Sequence, residues 1–143
     1  MRQRSAAFDR VAQELIEKAV AELTSAEQVG SAINGAFQRL ERAMSAMVGD
    51  VGFRALFARA LQITSKEGAA TDLPIGPQDA SGEGWVGAAE RVGAEKARLA
   101  ATLLLANILE LLASFIGEDL TFRLVRRAFQ DSGNAGSDGG QEP

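Results

Sequence analysis

Asn107 and Glu110 stand one helical turn apart inside "LAATLLLANILELLASFI", and Ser114 follows one turn beyond. An amide, a carboxylate and a hydroxyl at that spacing share one helix face, where they can hold a ligand, fix the register of a helix contact, or sit half in water. A second set lies downstream, where Arg123, Arg126 and Arg127 place fixed positive charge on "LTFRLVRRAF". Guanidinium groups suit carboxylates and phosphates because they donate hydrogen bonds in a planar fork. The same three arginines, near a helix C-terminus, also complement its dipole. Trp85, the single tryptophan, sits in a glycine-rich stretch. A large aromatic there either pins a loop to the core or serves as a binding hot spot.

Other chemistry is excluded by what is missing. The 143 residues include no histidine and no cysteine. This removes the usual general base near neutral pH, the thiolate nucleophile, the Ser-His-Asp triad and the commonest metal ligands. A carboxylate-bridged metal pair in a helical bundle needs Glu-x-x-His or a comparable inward cluster, and the acidic residues here fall mainly on outward faces. Gly82, Gly84 and Gly87 spell G-x-G-x-x-G. That pattern binds dinucleotides only when a strand delivers it to a helix, and the preceding "LPIGPQDAS" is no central strand. No cofactor or metal is therefore expected, and an enzyme ranks third among the readings, since any catalyst here must rely on Asp, Glu, Arg, Lys or a hydroxyl group.

The net charge of −4 argues against nucleic acid, whose binding rests on clustered Lys and Arg. The apolar run Leu99–Gly117 falls short of the about 20 residues of a membrane span. A charged residue near the centre of a span costs roughly 3 kcal/mol, and Glu110 stands there, so no span is expected. The opening "MRQRSAAFDRVAQ" lacks the continuous apolar core of a secretory signal. Absence of cysteine suits a reducing cytoplasm. Abundant arginine and alanine with three lysines points to a bacterial chain.

Positioning these residues falls to helices, since apolar residues recur at three- and four-residue steps and nowhere alternate. A first helix over 5–23 carries Phe8, Val11, Ala12, Leu15, Ala19 and Leu23 on one side. Thr24 or Ser25, with Glu27 or Gln28, can form a capping box for a second helix. That helix lines up Val29, Ile33, Phe37, Leu40, Met44 and Met47 and ends at Gly49, a residue suited to the left-handed C′ position. Asp50 can cap a third helix over 51–64 that gathers Phe53, Leu56, Phe57, Ala60 and Leu61. Glycines, prolines and small polar residues make 65–87 a long loop. On the apolar helix that follows, Leu104, Leu105, Ile108, Leu112 and Phe115 oppose a stripe of small and polar residues holding Asn107, Glu110 and Ser114. Gly117 stops it, Glu118 or Asp119 caps the next, and a last helix runs over 120–129.

The expected fold is all-α, a compact bundle of about five helices with a long Gly/Pro-rich loop before an apolar central helix. One domain spans 1–130, and 131–143 is too polar to order itself. The expected function is a small non-catalytic protein–protein interaction or regulatory module. It would act as a homo-oligomer, with the fourth or second helix on a two-fold axis, or by docking another protein. The alternative is a sensor that binds a small apolar or anionic ligand between helices, with 65–87 as its lid. Trp85, Asn107, Glu110, Ser114, Arg123, Arg126 and Arg127 are the candidate binding or interface residues.

Overall fold

The computed structural model describes residues 6–66, 75–76, 79 and 84–138, with side chains through Phe129. Five helices and no strand occur among these residues: α1 Ala6–Val20, α2 Ala26–Ser65, α3 Trp85–Val92, α4 Ala94–Ile116 and α5 Glu118–Asp138.

The α1 seam is Phe8, Ala12, Ile16 and Val20, all fully buried, one every four residues. This is one step round from the expected stripe: Val11 and Leu15 are half-buried flanks, and Leu23 lies beyond the helix. The chain turns at 21–25, where Ser25 caps α2 by accepting a hydrogen bond from the Gln28 backbone N–H at 3.1 Å. Ser25 is thus the capping residue of the two that the sequence offers.

The 40 residues of α2 do not form a straight rod. The rings of Phe37 and Phe57 meet edge to face at 6.5 Å, whereas twenty residues of straight helix would separate them by about 30 Å. The chain reverses at Gly49, which alone within α2 has non-helical dihedrals, φ 82° and ψ 165°. The sharp return expected between the second and third helices is this corner, and Gly49, the residue expected to end the second, is the joint.

The same corner recurs twice. Gly93 joins α3 to α4 at φ 96°, ψ 154°, and Gly117 joins α4 to α5 at φ 91°, ψ 158°. These dihedrals lie away from the left-handed helix, in a region of backbone space essentially closed to residues with a Cβ. Each of these two glycines closes the preceding helix and opens the next: the Gly117 N–H donates to the Ala113 carbonyl at 2.8 Å, and its own carbonyl accepts from Thr121 N–H at 3.1 Å. A half-buried β-branched residue precedes each of the three glycines, Val48, Val92 and Ile116, and packs on the core. No atom lies within 4 Å of where a Cβ would stand on any of them, so their requirement is conformational alone. Gly117→Ala is accordingly expected to cost about 1–2 kcal/mol in urea unfolding, and an unchanged midpoint would contradict the corner geometry.

At the centre runs α4, packed against every other helix. Leu104 through Leu109 are buried without interruption, along with Leu111 and Leu112. The helix is long and apolar enough to cross a membrane by length and composition; in the structure its whole middle is the core of the bundle. Of the expected stripe of small and polar residues, Ala106 and Asn107 are interior, while Glu110 is half-buried and Ser114 exposed, because neighbours close over the middle of α4 and not over its end. Phe115, expected on the buried side, is 71% exposed, since the end of α4 emerges from the bundle beside Gly117. The expected loop is also shorter than 65–87 at its end: α3 begins at Trp85. Most of that loop, and the side chains of the polar tail over 131–143, lie outside the described residues.

Candidate functional site

The expected site residues separate into an interior group and a surface group. Trp85 is fully buried, its ring stacked on Phe37 at 5.5 Å and 18°. It acts as the anchor of α3 and presents no surface to a partner, which corrects its expected place in a loop. Two α2 residues one turn apart make its seat. The side-chain oxygen of Asn34 accepts the Trp85 backbone N–H at 2.9 Å, and Gly30 leaves room for the α3 backbone to touch α2. Sequence reasoning missed both, since Trp85 lies 51 residues beyond Asn34 and further still beyond Gly30.

Asn107 is 1% exposed, and its Nδ2 donates to Thr64 Oγ1 at 2.9 Å. The Thr64 hydroxyl in turn donates to the Ala60 carbonyl at 2.7 Å. This chain of donors locks α4 against the returning arm of α2, so Asn107 makes its helix contact within the chain. Such a buried pair fixes register, because sliding either helix would strand polar groups in the core. Thr64→Val removes the acceptor while keeping the shape. It is expected to cost about 1–2 kcal/mol, and pairing it with Asn107→Leu should cost less than the sum of the two singles. Additive free energies in a urea double-mutant cycle would show that the pair is uncoupled. Glu110 is half-buried, and Ser114 is exposed with its hydroxyl donating to the Leu111 carbonyl at 2.7 Å. Ile108 and Leu112 are completely buried in the chain's own core, so that face of α4 is not open to a second copy.

The three arginines fare differently. Arg123 and Arg127 line a groove of about 930 Å³ between α5 and the first arm of α2, where they meet Arg39 and Arg42 from the opposite wall. Burial of Phe37, Leu40 and Met44 turns Arg39 and Arg42 toward the flank of α2, and burial of Leu124 and Val125 does the same for Arg123 and Arg127. Between these walls lies an apolar floor that includes Met47, 48% exposed, and Leu120, 42% exposed. Met47 is thus groove lining, while Met44, three residues before it, is core. No acidic residue lines the groove among the described residues. Arg126 faces a second groove, of about 760 Å³, between α1, α2 and α5, bordered by Phe122, Phe129 and Leu15. Arg39 touches both grooves.

No group of three or more acidic side chains is placed to hold a metal ion among the described residues. Fold and site together define an all-α bundle with an arginine-rimmed, apolar-floored groove on one side. The chain matches no family model, no curated protein and no solved structure.

Proposed function

We propose that this chain is a non-catalytic cytoplasmic interaction module that docks a protein partner on the α2–α5 groove. The observation behind this reading is the convergence of Arg39, Arg42, Arg123 and Arg127 around exposed Met47 and Leu120. Arginine is among the residues on which interface binding energy concentrates, methionine is enriched at interfaces, and the exposed apolar floor is surface that a partner would desolvate. The sensor reading has less support, since Trp85, at the end of the expected lid, is itself fully buried in the core. Its ring stacks on Phe37 at 5.5 Å.

Display selection of random peptides against the folded protein tests the proposal. Selected binders should lose at least about tenfold in affinity on the double variant Met47→Glu/Arg123→Glu. Both positions are exposed, so the variant should keep its circular dichroism and melting point. Binders indifferent to these substitutions across independent selections would overturn the assignment of this groove.

A further inference from the structure

Taking that docking reading as its basis, we infer that the occupant of the groove is an acidic amphipathic helix from another protein. Charge and shape both lead there. The chain carries a net charge of −4, yet this groove gathers four arginines with, among the described residues, no carboxylate in its lining and no ion pair to any of the four. A rim of such guanidinium groups on an otherwise acidic protein is complementary to carboxylates.

The spacing fits a helix. Arg39 and Arg42 are three residues apart on one wall and Arg123 and Arg127 four apart on the other, which sets each pair about 4.5–6 Å apart along its helix. Carboxylates at i and i+3 or i+4 of an incoming helix repeat at the same interval. Two helices form the walls, so a third lying between them would complete a three-helix layer with its apolar residues against Met47, Leu120 and Leu124. A free phosphate would use the rim and leave that floor in water.

A second copy of the chain is a poorer fit. The acidic residues of α1, Asp9, Glu14 and Glu17, flank a seam of Phe8, Ala12, Ile16 and Val20 that is fully buried in its own bundle.

Fluorescence anisotropy with a labelled peptide of about 18 residues tests the inference, a length that permits several helical turns. Its leucines would repeat at one-turn steps with glutamates on both flanks. Controls are the same leucine pattern with lysine for glutamate, and a glutamate peptide with alanine for leucine. The acidic amphipathic peptide should bind the full chain with Kd below about 100 μM, at least about tenfold more tightly than either control. Arg39→Ala/Arg123→Ala should weaken it by about tenfold or more, as should Met47→Glu. Raising NaCl from about 50 to about 300 mM should weaken it several-fold by screening.

Equal binding of the three peptides, or binding unmoved by the arginine substitutions, overturns the inference. So does displacement by millimolar inorganic phosphate or by phosphatidylglycerol vesicles, which would assign the rim to an anion or a lipid headgroup. Light scattering that shows a dimer broken by Arg123→Glu would assign the groove to a second copy. If this inference alone is wrong, the unbiased peptide selection still returns groove-dependent binders of other chemistry. If docking at the groove is wrong, it returns none.

Discussion

Trp85→Ala lowers the stability of this protein by about 3–5 kcal/mol, the range for deleting a fully buried large aromatic. The effect is expected to be large because the indole is one end of a run of rings that ties three helical segments together. Trp85 of α3 stacks on Phe37 of the first α2 arm, Phe37 meets Phe57 of the returning arm at 6.5 Å, and Phe57 lies 6.1 Å from Phe53. Removing the first ring leaves a cavity beside Phe37, which the buried core of α2 holds in place, so collapse into it is limited. The indole N–H has no acceptor among the described residues. Trp85→Phe therefore removes volume more than hydrogen bonding and should cost only about 1.5 kcal/mol. Urea unfolding followed by far-ultraviolet circular dichroism measures both, since the alanine variant has no tryptophan to report. In the native protein, acrylamide should barely quench Trp85 fluorescence. Ready quenching, or a loss below about 1 kcal/mol for the alanine variant, would contradict the interior placement.

Helix-period patterns were the legible part of this chain. The apolar stripe of the first α2 arm can be read at three- and four-residue steps, and the structure buries Val29, Ile33, Phe37, Leu40 and Met44 along it. Gly49 and Gly117 are legible as breaks because a lone glycine between strong helix patterns favours a positive φ. Gly93 carries the same signature, a β-branched residue before it and an acid within the next two positions, yet it passes unnoticed inside a short helix–helix junction. What periodicity could not give was which outward face meets another. Arg39 and Arg42 look like any solvated flank until α5 lies beside them, and that placement depends on contacts such as the stack of Phe8 on Phe122 at 4.8 Å. Asn107 was legible as a polar interruption, but its partner Thr64 lies 43 residues away in sequence. Phe115 shows the opposite limit: its side of the helix is apolar, and the bundle ends before covering it.

Gly30→Ala should destabilise the protein by about 3 kcal/mol, at the upper end of overpacking costs, although alanine is the better helix former. A Cβ at Gly30 would stand 2.5 Å from Val86 Cα, 2.6 Å from the Trp85 carbonyl oxygen and 2.9 Å from its carbon. All three are backbone atoms at the start of α3, so no side-chain rotation relieves the clash. The helix itself must lift, which would also stretch the hydrogen bond from Trp85 N–H to Asn34 and unseat the indole from Phe37. Gly35, five residues further along the same arm, has no atom within 4 Å of the point where a Cβ would stand. Gly35→Ala is thus expected to stabilise by about 0.5–1 kcal/mol through helix propensity alone. The same substitution in the same helix should carry opposite signs. Unfolding midpoints of the two variants in urea decide it, with acrylamide quenching of Trp85 as a local readout that rises only in Gly30→Ala. If Gly30→Ala proves neutral or stabilising, α3 does not rest on α2 at this distance, and the seat built from Gly30 and Asn34 is wrong.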